Sequence, residues 1–235
     1  MPAERLLAAL ALLAAAAASQ AQPLVALDVG HSRAQPGATS ARGVPEFDFN
    51  LKLAQAIAAE LEKAGVAVRP IGADGLADDL RARAPQAAGA QLLLSIHHDA
   101  VQPKYLRQWR HEGVTRPYSD RFRGFSLFIS SRNPQEARSL HCAARIGRAL
   151  RRAGFTPTRH HAEPIDGEAR PWADYAAGAH YYDGLAVLKE ATVPAVLFEA
   201  GVIVHREEEQ RLSQDGRRTR MAQAAARGVL DCLPQ

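Results

Sequence analysis

Short apolar runs that stop abruptly at histidine constrain this chain more than any other feature. Residues 24–29, LVALDV, are followed by Gly30 and His31, and residues 91–96, QLLLSI, by His97, His98 and Asp99. A run this short, rich in branched side chains and without a polar face, reads as a strand buried on both sides. Strands of that kind belong to parallel sheets, and open α/β sheets carry their chemistry at the carboxyl ends of the strands. A further apolar run over 193–198 ends on Glu199-Ala200-Gly201. Three strand ends would therefore deliver His31, His97 and Glu199 to one edge of one sheet.

The segments between these runs alternate in type. Leu53, Ile57 and Leu61 recur every four residues, which predicts a helix over 46–64 that stops at Gly65. Residues 66–70 read as a strand, 75–88 as a helix, 125–129 as a strand, 133–153 as a helix closed by Gly154, and 207–233 as helical. Strands alternating with helices give an α/β fold: a single three-layer αβα domain around a mostly parallel twisted sheet. The chain has 235 residues, 47% of them hydrophobic and 23% charged. That suits one well-packed core and excludes a disordered or fibrous chain.

The first residues stand apart. Arg5 precedes a run of Leu and Ala alone over 6–18, followed by Ser19, Gln20 and Ala21. The run is too short to span a bilayer, and small residues at 19 and 21 suit a signal peptidase, so residues 1–21 read as a signal peptide and 22–235 as the single mature domain. The competing reading, a core helix, lacks the polar face such a helix shows. The chain is then periplasmic or secreted, with no stable membrane span. Its net charge is +4, which cleavage would not change. An exported basic protein meets anionic partners such as cell-wall polymers and lipid head groups; nucleic acid would be the first expectation only for a cytosolic one, so no nucleic-acid partner is expected. Cys142 and Cys232 have two readings, a disulfide in an oxidising compartment or two buried thiols. Neither has a C-x-x-C neighbour, so no thiolate metal site is implied.

Glu46 opens the helix after the first strand, and with His31 and His97 it completes the two-nitrogen, one-carboxylate set that catalytic zinc uses while leaving a position free. The spacing is not that of a helix-borne H-E-x-x-H, so the ligands must converge from separate elements. Singly, each residue has a plainer account: a strand-end histidine commonly just hydrogen-bonds a loop, and an acid is favoured in the first turn of a helix by the macrodipole. Glu199 is different, because a carboxylate after an apolar strand is costly without a role. A carboxylate that does not bind the metal takes a proton from the attacking water.

These residues carry a resemblance. Val25 to His31, the stretch Glu46, Asp48, Asn50, Leu51 and Ala54, the run Ser95-Ile96-His97-His98-Asp99, Arg123-Gly124-Phe125, and Leu188-Lys189 through Pro194 to Gly201 resemble, in order, the motifs of the zinc-dependent N-acetylmuramoyl-L-alanine amidases of the bacterial cell-separation type. The resemblance covers most of 24–233. It implies Zn2+ held by His31, Glu46 and His97, Glu199 as the catalytic carboxylate, and hydrolysis of the amide between N-acetylmuramic acid and L-alanine in peptidoglycan or muropeptides. The chain departs from the pattern at Ser32, at His98 and over Val202-Ile203-Val204-His205. His98 leaves two candidates for one ligand; the alternation of Leu92, Leu94 and Ile96 with Leu93, Ser95 and His97, and the motif itself, both favour His97. Asp28 and Asp99, beside ligands, either accept a histidine N–H or simply end strands.

Two segments carry competing readings. Residues 104–123 form a basic loop with Lys104, Arg107, Arg110, Arg116, Arg121 and Arg123 among Tyr105, Trp109, Tyr118 and Phe122; it is either a wall for sugars and carboxylates or a solvated loop. Residues 156–183 hold His160, His161, Glu163, Asp166, Glu168 and His180 in an irregular stretch. The family resemblance implies a regulatory insertion here, with Glu163 or Glu168 plugging the zinc until an activator protein acts on it; the other reading is a surface lid. Two rival functions remain, a zinc carboxypeptidase or other amidohydrolase on a related cell-wall peptide, and a catalytically inactive cell-wall-binding module.

Overall fold

Strand β1 (Leu24–Val29) is buried on both faces, as its unbroken apolar sequence requires. Val25, Leu27 and Val29 pack into one core and Ala26 into another. The computed structural model describes residues 22–234, so the signal peptide expected over 1–21 lies outside the described residues. From β1 the chain passes through a loop into helix α1 (Glu46–Lys63) and strand β2 (Ala67–Ile71). Strand β3 (Leu92–Asp99), hairpin strands β4 (Arg107–His111) and β5 (Val114–Tyr118), and β6 (Ser126–Ile129) follow. Helix α2 (Glu136–Arg152), strands β7 (Trp172–Asp174) and β8 (Ala179–Tyr181), the single turn α3 (Ala186–Lys189), strand β9 (Ala195–Val202) and helices α4 (Arg206–Ser213) and α5 (Asp215–Leu230) complete it. No helix among the described residues is long and apolar enough to cross a membrane.

The main sheet has seven strands in the order β2-β1-β3-β9-β6-β8-β7. β2, β1, β3 and β9 run parallel, and β6 is antiparallel to β9. The three strands expected to bear the site, β1, β3 and β9, are thus adjacent and point the same way. One face carries α1, α2 and α5, whose Leu53, Ile57, Leu61, Ile146, Leu150, Met221 and Val229 meet Leu27, Leu94, Ile96 and Phe198. Each such side chain contributes about 1.5–3 kcal/mol on burial. The other face is thinner: Ala84, Ala87, Val187 and Leu188, from short helical turns, cover Leu93, Leu197 and Phe128.

The structure departs from the sequence reading where local chemistry overrides periodicity. The helix expected over 75–88 is two 3-10 turns, Leu80–Ala82 and Ala84–Ala87. Pro85 lacks the N–H that an α ladder needs there, and Arg83 turns inward. The basic loop over 104–123 contains the β4–β5 hairpin, turned by Glu112 and Gly113 with φ of 50° and 79°, the left-handed pair of a tight hairpin turn. Trp109 on that hairpin donates its indole N–H to the Ala41 carbonyl at 2.9 Å. Segment 156–183 supplies β7 and β8 to the main sheet, so it is partly a sheet component. β3 and β9 also run past their expected ends and include His97, His98, Asp99 and Glu199.

Two long-range ties hold this frame. Arg83, fully buried, pairs with Asp28 at 2.6 Å and donates to the carbonyls of Val29, His31 and Ala77. Asp28 in turn accepts from Ser95 Oγ at 2.5 Å, so one ion pair fixes the end of β1 against β3. Cys142 on α2 and Cys232 after α5 form a disulfide across a sequence separation of 90. Replacing both cysteines by serine is expected to lower unfolding stability by up to about 4.5 kcal/mol through the freed loop entropy, read from urea transitions. Arg83→Ala leaves the buried Asp28 carboxylate unpaired and is expected to cost about 3–5 kcal/mol in the same measurement.

Candidate metal centre

His31 reaches the sheet edge because β1 ends one residue earlier. Gly30 still donates to Ile96 O at 2.9 Å, and His31 then adopts φ 69°, a left-handed conformation that an L-residue holds only when its surroundings fix it. Arg83 provides that fixing through the His31 carbonyl. Glycine is required on either side of the ring. A Cβ on Gly30 would lie 2.3 Å from the His97 ring, and one on Gly37 would lie 2.4 Å from Glu46 Oε2.

The Glu46 carboxylate is the hub. Oε2 lies 3.0 Å from His31 Nε2 and Oε1 3.1 Å from His97 Nδ1. It also accepts the backbone N–H of Ala38 at 3.0 Å and of His98 at 3.2 Å, and the Asn50 amide at 3.2 Å. Burial raises its pKa, but hydrogen bonds and charge from His31 and His97 prevail and hold it well below the usual carboxylate range. Its position at the first turn of α1, where backbone N–H groups face outward, favours the same charged form.

Of the adjacent histidines, His97 faces Glu46 while His98 turns into the helix layer. His98 Nδ1 lies 2.8 Å from Asn50 Oδ1 and its ring packs on Phe49. Burial lowers the His98 pKa to about 3, so this ring is neutral and structural. The alternation along β3 separates the two.

Glu199 sits directly opposite His97 in the parallel β3–β9 register and opposite Ser126 in the antiparallel β9–β6 register. Its Oε2 and Ser126 Oγ are both buried without a hydrogen-bond partner. Burial, then the charges of Asp99 and Glu46, raise its pKa well above the ordinary value. An unpaired buried carboxyl is costly, and a group so placed is suited to carrying a proton.

The donor atoms of His31, Glu46 and His97 lie within 4.8 Å of one another. Two imidazoles and one carboxylate, on the partly exposed side of the sheet edge, fit a zinc ion that keeps one position open. The His31 and His97 side chains are 30% and 17% exposed, so the cluster faces solvent on one side.

Other sequence candidates are placed elsewhere. Neither Glu163 nor Glu168 acts as a plug on this cluster. Glu163 accepts from the Tyr105 hydroxyl at 2.8 Å and faces Arg121, and Glu168 holds His161 Nδ1 at 3.0 Å and Gln102 Nε2 at 2.9 Å. Asp28 binds Arg83 and no histidine. Asp99 does bind histidine, but its partners are His160 and His161 from the 156–183 segment. Burial lowers the His161 pKa, yet Asp99 and Glu168 outweigh it and raise it to about 9. Sequence reasoning missed Arg83 altogether, a lone arginine with no periodic signal. It also missed the anchoring role of Asn50, which its place four residues after Glu46 on one helix face would have suggested.

Comparison with known proteins identifies the family and the fold. Residues 25–231 match the family described as N-acetylmuramoyl-L-alanine amidase. Ami1 of Mycobacterium smegmatis is similar with a TM-score of 0.70 and 22% identity, over 89% of this chain and 96% of that one. AmiC2 of Nostoc punctiforme is similar at 0.65 and 22%, over 89% and 96%. The CwlD amidase of Clostridioides difficile, solved in complex with the GerS lipoprotein, is similar at 0.63 and 18%, over 89% and 98%. No curated protein sequence matches the chain. The chain belongs to the N-acetylmuramoyl-L-alanine amidase family, the hydrolases that cut the amide joining the muramic acid of peptidoglycan to its stem peptide.

Proposed function

We propose that this member of the family works as a zinc hydrolase after export, with His31, Glu46 and His97 as the metal ligands and Glu199 as the proton carrier. The observation that carries the reading is the pairing of one buried carboxylate with two histidines beside an unpartnered Glu199 oxygen. When bound, zinc supplies the positive charge that polarises the scissile carbonyl.

The remaining work falls to the chain. Glu46 is itself held by two backbone N–H groups and Asn50, so its carboxylate is presented at a fixed bearing, which limits the reorganisation needed during reaction. Glu199 accepts a proton from the attacking water and passes it to the leaving nitrogen of L-alanine. The products are the lactyl carboxylate on the muramic acid and a stem peptide with a free amine. The hairpin over Arg107–His111 and Val114–Tyr118, with Arg107 and Arg110 exposed on either side of Trp109, offers cations and an aromatic surface to an anionic glycopeptide.

Muropeptides incubated with the purified protein are expected to release an intact stem peptide bearing a free L-alanine amine, identified by mass spectrometry; a shortened stem would instead mark a carboxypeptidase. Glu199→Gln is expected to lower turnover about 10²–10⁴-fold while zinc content, by elemental analysis, stays at the wild-type value. Unchanged turnover would remove Glu199 from this role. Gly30→Ala forces the His97 ring aside and is expected to weaken zinc retention on dialysis relative to wild type.

A further inference from the structure

A second cluster of metal-type donors lies beyond the first on the same strand. Asp99 Oδ2, on β3 two residues past His97, is 2.8 Å from His161 Nε2 and 3.2 Å from His160 Nε2. All three donor atoms lie within 4.8 Å of one another, and none of these residues belongs to the His31, Glu46 and His97 set. The His160 and His161 rings stand 3.9 Å apart, and both Nε2 atoms lie within 3.2 Å of the same carboxylate oxygen.

Each ring is held from behind. His161 Nδ1 lies 3.0 Å from Glu168 Oε2, and His160 Nδ1 lies 2.8 Å from Thr158 Oγ1. An acceptor on the far nitrogen is the arrangement that fixes the tautomer and bearing of a metal-ligating histidine. Phe122 stacks on His160 and Phe128 packs edge-on to His161, giving the cluster an apolar wall.

A purely proton-mediated lock leaves one atom unexplained. One proton on His161 satisfies its contact with Asp99, but His160 Nε2, although 3.2 Å from the same oxygen, is not aligned to hydrogen-bond it and stays buried without a hydrogen-bond partner on a side chain that is 1% exposed. A buried unpaired nitrogen costs on the order of 1–3 kcal/mol. A cation between the two rings and the carboxylate satisfies all three groups at once. We propose that Asp99, His160 and His161 form a second divalent-cation site, of the zinc class by its two imidazoles and one carboxylate, that fastens segment 158–168 to β3.

The test counts metal on the whole protein. Zinc-saturated protein, dialysed and analysed by inductively coupled plasma mass spectrometry, is expected to hold two zinc per chain. The His160→Ala/His161→Ala variant and the His31→Ala variant are each expected to hold one, with circular dichroism showing that both fold. Wild type holding one zinc that only His31→Ala removes would overturn the second site and leave the first. Zinc lost from the His160/His161 variant but unaffected by His31→Ala would uphold the second site and overturn the proposed catalytic ligands. Two zinc retained in the His160/His161 variant would also overturn it. Wild-type crystals read the same question without a variant. An anomalous difference peak at the zinc edge between Asp99 and His161 is expected, and a peak confined to His31, Glu46 and His97 would overturn the proposal.

Discussion

The buried charge of Glu46 is the constraint on which the rest of the active edge depends. A carboxylate taken out of water is stable only where donors surround it, and here the donors come from three places: the loop after β1, through His31 and the backbone of Ala38, the body of α1, and the end of β3. Each of these segments must be in position for any one of them to be satisfied. Asn50 extends the tie, since its amide also reaches the Gly30 carbonyl at 3.1 Å while its oxygen holds His98. The centre is therefore organised before any metal arrives, and the fold carries the cost of that organisation in advance.

Beneath this hub lies the parallel pairing of β1, β3 and β9. Adjacent parallel strands end at the same level, so residues far apart in sequence meet in register, as His97 does with Glu199. The buried Asp28–Arg83 pair strengthens the same seam on the sheet face that carries His97, beside Ser95 of β3. Such a pair adds little net stability over an apolar replacement, but it dictates where β1 stops and so where His31 turns.

Most of the fold and the primary cluster was legible in the sequence because both rest on local patterns: apolar runs for β1 and β3, four-residue spacing for α1, and single polar residues at the ends of those runs. The sequence was silent where a partner lies far away in the chain. Nothing around Arg83 announces Asp28, and the helical pattern over 75–88 gave no weight to Pro85 against the pull of that pair. The tie between Asp99 and His161 spans 62 residues, and the irregular composition of 156–183 hid two short strands, β8 recruited by β6 and β7 by β8, and neither by its own propensity. Cysteine pairing was open for the same reason, since only the packing of α2 on α5 brings Cys142 and Cys232 together.

The unequal cover on the two sides of the sheet has a mechanical consequence. Three helices and a disulfide stiffen one side, whereas the other is closed by 3-10 turns and a single helical turn over a smaller apolar cluster. His97 and Glu199 occupy strand positions that look toward the lightly covered side. Apolar contact therefore secures the helical side, whereas on the thin side a single polar anchor, Arg83 with its bonds to Asp28, Val29 and His31, takes the place of the missing helix, and the bearing of His31 is set by charge and not by packing.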